Sequence, residues 1–466
     1  MPVRDMKESH CSTISVDLYR GNLGKREAVL RFLQRALSLE RPTRLLLTSQ
    51  EDMTWLSGDR DFLETWKALL HQVIESGHKI VIIHSFDRSL SSLLFIMDYW
   101  LPMHLTGQLD GYCYSDFAFD RSKTTLFILE EQACIFSRTY EGAEHQQAFY
   151  FTQKDVIRMF EESFWAKIRS CRPLMKRLPS APMERMQEIA AFEKKNCACV
   201  AFAQTMSAWT MPVHIYEKVL GRLDIDPIEL KRRSNFHRKR QADFIRAIKE
   251  QRYSLLYHID RLEEIVHRGG VTYGGGEFFE SENIIVPSAD FVEHLIYISD
   301  LLEMNPLLEV SLVCRENTAL KMKDYGYILK EGDQVILTPG RRQRSTSVYV
   351  ASDEPTVMRA VSLCHQYLQQ SVSPEDRDVK TMALIFRQAA TTAPLDPSSC
   401  FYGLLTEREY EIALMIAEGL TSREIAEKTF ISLNTVKSHI KNIYRKIGVS
   451  TKVELTKLIS SKKESV

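Results

Sequence analysis

Closely spaced helix start and stop signals in the last 60 residues constrain this chain more than any other feature of its sequence. A Ser or Thr with Glu three positions later forms a capping box, in which each side chain binds the backbone N–H of the other residue. Glycine suits the left-handed residue that ends a helix. The signals, in chain order, are Thr406/Glu409, Gly419, Thr421/Glu424, Ser432, Gly448 and Ser450. They predict four short helices in succession, the third running over 433–447.

The third predicted helix has two distinct faces. Its apolar residues recur at helical spacing and are expected to be buried; they are Val436, Ile440, Ile443 and Ile447. Its basic residues fall on another face; they are Lys437, Lys441 and Arg445. Between residues 433 and 463 there are eight Lys and Arg against one acid, Glu454, in a chain whose formal net charge is +0. Such localised positive charge favours contact with nucleic-acid phosphates, and the helix succession indicates a helix-turn-helix DNA reader.

The motifs of this region resemble those of the C-terminal DNA-binding domain of the LuxR/NarL family of bacterial transcription regulators. The resemblance covers residues 404–461 and rests on Leu405-Thr406-x-Arg408-Glu409, Ala417-Glu418-Gly419-Leu420, Glu424-Ile425-Ala426 and Thr435-Val436-Lys437-Ser438-His439. The sequence departs from the usual pattern at Ala413 and Thr429, where larger aliphatic residues are common. The resemblance implies that the third helix enters the major groove and that the fourth can pair subunits.

Six residues of the third helix are the candidate DNA-binding set. By position, the resemblance assigns DNA contact to Lys437, Ser438 and Lys441. Helix geometry adds Asn434, Arg445 and Lys446. The predicted partners are double-stranded DNA, a second copy of the chain bound beside the first, and an unidentified small-molecule effector.

The remaining residues of this 466-residue chain predict a large α/β region. Buried strands are expected at 44–48, 79–84, 310–314 and 335–338, and helices at 62–75, 288–302 and 355–370. The same helix–turn–strand order at 62–84 and 291–314 suggests two similar lobes. The predicted fold class is therefore multidomain: a large N-terminal α/β region with a helical insert, followed by an all-α tetrahelical helix-turn-helix domain.

Domain boundaries follow from changes in pattern. We predict a first α/β lobe over 1–150, a helical insert over 151–270, a second α/β lobe over 271–390, a linker over 391–403 and the DNA-binding domain over 404–466. The linker carries small residues and two prolines. Within the insert, the apolar run around Cys197 and Cys199 is interpreted as a helix, and the basic residues 231–233 and 237–240 as a solvated helix face, with a second nucleic-acid contact as the alternative.

No catalytic set emerges from the sequence. Gly21-Asn22-Leu23-Gly24-Lys25 lacks the first glycine and the Ser/Thr of a phosphate-binding loop. The two lobes also resemble phospholipase-D-like sensor domains, yet the catalytic His-x-Lys is absent, since His78 and Lys79 are adjacent. We therefore expect no enzyme activity, metal or cofactor. The alternative is a catalytic α/β protein with a DNA-binding tail.

Location is predicted from composition. No apolar run reaches the length of a membrane span, the N-terminus lacks a signal-peptide pattern, and the nine cysteines are scattered rather than arranged as a disulfide framework. These features favour a cytoplasmic protein without a membrane partner.

Overall fold

The computed structural model describes residues 15–51, 53–84, 95–114, 122–140, 147–204, 207–223, 225–259, 270–280, 284–314, 325–340, 348–372, 383–384, 387–388, 407–429, 431–447, 449 and 451–460. The chain divides into two compact units. The first contains residues 1–176 and 346–356, and the second contains residues 177–345 and 357–466. The linker predicted at 391–403 and the capping box at Thr406 lie outside the described residues.

The strands, in chain order, are β1 Asp17–Arg20, β2 Arg44–Ser49, β3 Lys79–His84, β4 Leu109–Tyr114, β5 Ser122–Leu129, β6 Ala133–Tyr140, β7 Gln147–Phe151, β8 Cys171–Pro173, β9 Lys176–Arg177, β10 Cys199–Ala203, β11 Tyr253–Ile259, β12 Gly270–Tyr273, β13 Ile284–Pro287, β14 Leu308–Cys314, β15 Tyr325–Lys330, β16 Gln334–Pro339 and β17 Val350–Ser352.

The helices, in chain order, are α1 Gly21–Leu37, α2 Thr54–Ser57, α3 Arg60–Glu75, α4 Leu101–His104, α5 Lys154–Ile168, α6 Pro182–Glu193, α7 Val213–Leu220, α8 Pro227–Glu250, α9 Ser288–Met304, α10 Pro355–Ser371, α11 Glu407–Ala417, α12 Ser422–Thr429, α13 Leu433–Ile447 and α14 Lys452–Ser460. A π-helix, Ile96–Trp100, precedes α4, and 3₁₀ turns occupy Ala208–Thr210 and Gly275–Phe278.

The two units contain sheets with a similar arrangement of strands. The first sheet has the order β1-β7-β6-β5-β2-β3-β4-β8, in which β2, β3 and β4 are parallel and β5 pairs antiparallel with β2. The second sheet has seven strands and includes the consecutive run β14-β11-β10-β15-β16, in which β10, β11 and β14 are parallel and β15 pairs antiparallel with β10. Each unit therefore places three parallel strands beside an antiparallel hairpin. The strands equated in the sequence analysis do not hold equivalent places, because β3 is the middle of its three parallel strands and β14 is the outer one.

All seven elements that the apolar pattern predicts in the α/β region are present in the structure. The buried strands β2, β3, β14 and β16 and the helices α3, α9 and α10 all match. Side chains that alternate into the first core include Leu46, Ile83 and Ile128, each at most 1% exposed, and Ile157 and Phe164 of α5 pack against them. Among the described residues, no helix is both long and apolar enough to cross a bilayer.

The prediction of a helical insert over residues 151–270 is wrong at two strands, β10 and β11. The apolar run at Cys199–Ala203, interpreted as a helix, is strand β10, and Tyr253–Ile259 forms β11 beside it. Both are interior strands of the second sheet, each with a neighbouring strand on both sides. Five apolar residues have no periodicity that separates a strand from a buried helix turn, and pairing with β11 and β15 decides the outcome.

Candidate DNA-binding surface

Four helices near the C-terminus form a small domain around one apolar core. The core side chains come from all four helices and include Ile412, Ile425, Val436, Ile443 and Leu455, each 0% exposed. Ala413 and Thr429, where larger side chains are usual, are also buried. The Thr429 hydroxyl donates to the Ile425 carbonyl at 2.5 Å, so its polar atom is satisfied within α12.

Local capping explains why these helices begin and end where they do. The Glu424 carboxylate accepts from the Thr421 N–H at 2.6 Å, and the Thr421 hydroxyl accepts from the Glu424 N–H at 3.4 Å. The Thr421 N–H, together with the Thr421 hydroxyl that donates to the same carboxylate at 2.8 Å, holds the pKa of Glu424 below its usual value. Gly419 has φ +95°, which confirms it as the left-handed residue between α11 and α12. The capping box predicted at Thr421 is therefore confirmed.

The helix α13 begins and ends where the sequence predicts. Its N-cap is Ser432, whose hydroxyl accepts from the Thr435 N–H at 3.1 Å. The cap of α14 is Thr451, one residue after the predicted Ser450, because the Thr451 hydroxyl accepts from the Glu454 N–H at 3.1 Å. Short-range signals of this kind suffice to place α13 between α12 and α14.

The candidate residues lie on the side of α13 that faces away from the core. A helix advances about 100° per residue, which places Lys437, Lys441 and Arg445 about 100–180° around the helix from Val436. All three basic side chains are exposed. Asn434 and Ser438 are also exposed and fall in the same sector. Ile440 is half-buried, and the side chain of Ile447 lies outside the described residues.

Lys446 differs from the other candidates in its position around the helix. It lies about 80° beyond Ser438 by helix geometry, and its side chain is outside the described residues. Arg445 contacts Asn442 through a hydrogen bond of 3.3 Å along the helix. The structure therefore brings Asn434, Lys437, Ser438, Lys441 and Arg445 onto one face, and Lys446 stays a separate prediction.

Two basic residues of the domain have structural contacts that the charge count does not reveal. The Lys452 ammonium donates to the Gly419 and Leu420 carbonyls at 2.8 and 3.0 Å. Arg408 donates to the Thr429 carbonyl and pairs with Glu411 at 2.6 Å. Free carbonyls at the ends of α11 and α12 attract these cations. Gly419 is the sequence signal for the end of α11.

The second basic cluster, on α8, is largely neutralised by neighbouring acids. Arg233 pairs with Glu229 at 2.9 Å and with Glu280 at 2.7 Å. Arg238 pairs with Glu217 at 3.2 Å. Arg240 turns inward to Glu193. This arrangement supports the interpretation as a structural helix face rather than a second nucleic-acid contact.

A buried ion pair lies inside the first sheet unit. Lys25 of α1 lies 2.5 Å from Glu51, and both side chains are at most 1% exposed. Thr125 and Ser137 donate to the same carboxylate at 2.6 Å. Burial alone would raise the pKa of Glu51, but the Lys25 ammonium and the two hydroxyls lower it below its usual value. A carboxylate that is paired and hydrogen-bonded in this way is poorly suited to accept a substrate proton.

A second buried network occupies the other sheet unit. The Arg240 guanidinium binds both oxygens of Glu193 at 2.6 Å and approaches Glu277 at 3.4 Å. Glu277 also accepts from Ser207 at 2.9 Å, and its side chain is 30% exposed. The protein atoms packed around Glu277 exclude water and raise the pKa of its carboxyl group above the usual value, although Arg240 acts in the opposite direction. Among the described residues, no three His, Cys, Asp or Glu side chains group as metal ligands would.

The C-terminal domain matches a known family. Residues 403–459 match "Bacterial regulatory proteins, luxR family". The chain is 52% identical over 50 residues to the transcriptional regulatory protein LiaR of Bacillus subtilis, covering 11% of this chain and 24% of that protein. It is 32% identical over 139 residues to the oxygen regulatory protein NreC of Staphylococcus aureus, covering 30% of this chain and 52% of that protein.

These matches define a LuxR-family helix-turn-helix DNA-binding domain at residues 403–459. Both relatives are named as regulatory proteins. The chain spans about a quarter of LiaR and about half of NreC.

The solved structures that resemble the chain do so only distantly. A phospholipase D family member, Nuc from Salmonella typhimurium, gives a TM-score of 0.23 at 12% identity, covering 34% of this chain and 98% of that one. A TM-score this low carries no argument about fold or activity. The resemblance of residues 1–390 to phospholipase-D-like sensor domains stays a prediction.

The C-terminal domain is expected to fold without the rest of the chain. Its core cluster and its caps are all internal to residues 407–460. We predict that a fragment of residues 400–466 shows helical circular dichroism, a cooperative thermal transition and weak DNA binding. A random-coil spectrum would show that the boundary is wrong.

Proposed function

We propose that this protein is a transcription regulator that reads operator DNA through the exposed face of α13. The observation that carries the proposal is the separation of that helix into a buried apolar face and an exposed face with Asn434, Lys437, Ser438, Lys441 and Arg445. Helices of this kind enter the major groove. Arg and Lys bind guanine edges and Asn binds adenine, while all of these side chains can also contact phosphate.

We propose that the N-terminal α/β region controls DNA binding by the C-terminal domain rather than catalysing a reaction. Its two buried networks support this view, because Glu51 and Glu193 are paired and hydrogen-bonded within the fold. The partly exposed Glu277 is the observation that favours the alternative, a catalytic α/β protein with a DNA-binding tail. An effector that binds the N-terminal region can change DNA binding only if it binds two conformational states of the protein with different affinities.

Sequences bound by the protein provide the direct test. Genomic fragments recovered with the full-length protein should share a common motif, and binding to that motif should weaken steeply with salt because phosphate contacts release counterions. Equal affinity for the motif and for scrambled DNA would contradict sequence-specific regulation. A hydrolytic activity that is lost on Glu277→Gln would favour the catalytic alternative.

We further propose that the protein binds DNA as a homodimer. One reader helix offers few base contacts, which is little for selecting a promoter among many competing sites. The fourth helix provides a surface for pairing, since Val453 is 63% exposed whereas Leu455 is fully buried.

The dimer predicts two half-sites about one helical turn apart. Analytical ultracentrifugation on an operator fragment should give two chains per duplex, and Val453→Glu should reduce this to one chain with weaker binding. The matched control is Lys239→Glu at an exposed position of α8, outside the C-terminal domain, which should leave two chains per duplex. A one-to-one complex on every site, without symmetry in the footprint, would rule out the dimer.

A further inference from the structure

A serine and a glutamate meet beside one edge of the second sheet. Ser207 follows the carboxyl end of β10, one of three parallel strands, and open α/β sheets bind ligands outside this end of their strands. The Ser207 hydroxyl donates to both oxygens of Glu277, at 3.0 and 2.9 Å, and accepts from the Trp209 N–H at 3.0 Å. Ser207 is half-buried, and the Glu277 side chain is 30% exposed. The pair is therefore accessible from solvent.

The positive charge beside Glu277 is shared with a second carboxylate. The Arg240 guanidinium binds both oxygens of Glu193 at 2.6 Å but lies 3.4 Å from Glu277. Its stronger interaction is therefore with Glu193. Burial, with a contribution from the Glu193 charge, raises the pKa of Glu277, although Arg240 and Ser207 act in the opposite direction. A carboxylate with a raised pKa is a stronger base than an ordinary one.

The turn that carries Glu277 is held in an unfavourable backbone conformation. Phe279 has φ +63°, in the left-handed region that a bulky residue rarely adopts. Arg233 of α8 donates to the Phe278 carbonyl at 2.9 Å and pairs with Glu280 at 2.7 Å. Its guanidinium carbon lies 5.6 Å from the centre of the Phe279 ring. Such strain persists only where surrounding contacts impose it, so these contacts fix the position of Glu277.

Another serine–glutamate pair in the protein lacks both properties. Ser137 donates to Glu51 at 2.6 Å, but both side chains are fully buried. The Lys25 ammonium, 2.5 Å away, lowers the pKa of Glu51 despite that burial. A serine–glutamate hydrogen bond therefore does not by itself give an accessible hydroxyl or a carboxylate with a raised pKa, whereas the pair of Ser207 and Glu277 has both.

We propose that Ser207 is an activated nucleophile that accepts an acyl or phosphoryl group from an activated donor, with Glu277 as its general base and Arg240 as the residue that positions Glu277. A hydroxyl, a base within hydrogen-bond reach and a third group that orients the base are the general arrangement of such nucleophiles. As Ser207 Oγ bonds to the carbon or phosphorus of the donor, its proton passes to Glu277. The bond to the leaving group breaks with its electron pair, and Glu277 returns the proton to that group. This site is independent of DNA binding.

Reaction of the full-length protein with a fluorophosphonate probe tests the site. The probe phosphorus should bond to Ser207 with loss of hydrogen fluoride, and peptide mass spectrometry locates the label. Ser207→Ala should abolish this labelling. Glu277→Gln removes the base while keeping the size of the side chain, and it should slow labelling by about 100-fold or more. Wild-type labelling should accelerate as pH rises through the pKa of Glu277, because only the ionised carboxylate accepts the proton, and Glu277→Gln should remove this dependence.

Two other serines are internal controls in the same experiment. Ser137 has a carboxylate partner but no access to solvent. Ser76 is exposed, and its hydroxyl donates to the Gln72 carbonyl, so it has access without a base. Neither should be labelled. Far-ultraviolet circular dichroism checks that each variant is folded. Labelling of Ser207 no faster than that of Ser76, or an unchanged rate in Glu277→Gln, would overturn the proposal.

Release of p-nitrophenol from p-nitrophenyl acetate separates two roles for the nucleophile. Release of one equivalent by the wild type, absent in Ser207→Ala, would confirm Ser207 as a site of covalent modification and leave the proposed regulatory role intact. Continued release that depends on Ser207 would confirm the nucleophile and favour the catalytic alternative instead. Release that is equal in the wild type and in Ser207→Ala would contradict the proposed nucleophile, whatever the outcome of the DNA-binding experiments.

Discussion

Replacing Lys437 or Lys441 by alanine is expected to weaken operator binding by about 1–3 kcal/mol each, if the side chain reads a base edge. Both side chains are exposed on α13, away from the buried Val436 and Ile443. Neither substitution touches the core, so the fold should persist. Fluorescence anisotropy with labelled operator DNA gives the affinity, and thermal unfolding confirms that the domain is intact.

The salt dependence separates base contacts from phosphate contacts. A lysine that binds only phosphate should weaken binding to all sequences alike and reduce the slope of log affinity against log salt by about one unit. A lysine that reads a base should weaken the specific site more than scrambled DNA. The double charge reversal Lys437→Glu/Lys441→Glu should abolish specific binding in either case.

Lys239 on α8 is the matched control. It is exposed on a basic helix, and Lys239→Ala should leave operator affinity unchanged. Weakened binding in this variant would restore the second basic cluster as a nucleic-acid contact. Unchanged affinity in both Lys437→Ala and Lys441→Ala would exclude the proposed docking of α13.

The sequence predicts the DNA-binding domain well because its signals are local. Caps such as Thr421/Glu424 and Ser432 act within one helical turn, so their spacing alone places the helices. The apolar positions of α13 are predicted for the same reason. Lys452 is the exception, because its carbonyl partners lie more than 30 residues away, where a charge count cannot find them.

The interior of the α/β region depends on pairings across long stretches of chain. The run at Cys199–Ala203 becomes a strand because β11 and β15 pair with it. Arg240 was placed within a solvated basic face, yet it is 6% exposed and bound to Glu193. Nothing in the neighbouring sequence marks such a residue as buried, since the partner that offsets its desolvation is 47 positions away.

Removing one partner of the Lys25–Glu51 pair should lower the free energy of unfolding of the first unit by a large amount. Lys25→Met leaves a buried carboxylate without its ammonium, and breaking a buried pair in this way costs about 3–5 kcal/mol. Urea unfolding at pH 7.5 followed by tryptophan fluorescence suits the measurement, because four of the five tryptophans lie in this unit. Lys67→Met removes an exposed pair with Glu64 and should cost no more than about 1 kcal/mol.

The pH dependence of this loss tests its cause. In the wild type the pKa of Glu51 is below its usual value, so its contribution is present at neutral pH and is lost as pH falls through the folded-state pKa. In Lys25→Met, burial without the ammonium raises that pKa. The carboxylate then takes up a proton as pH falls toward 5, and the stability gap from wild type should narrow. Lys25→Met/Glu51→Gln should lose less than Lys25→Met alone, because no uncompensated charge remains. A gap that is constant from pH 8 to pH 5, with additive single and double variants, would show that packing rather than charge sets the loss.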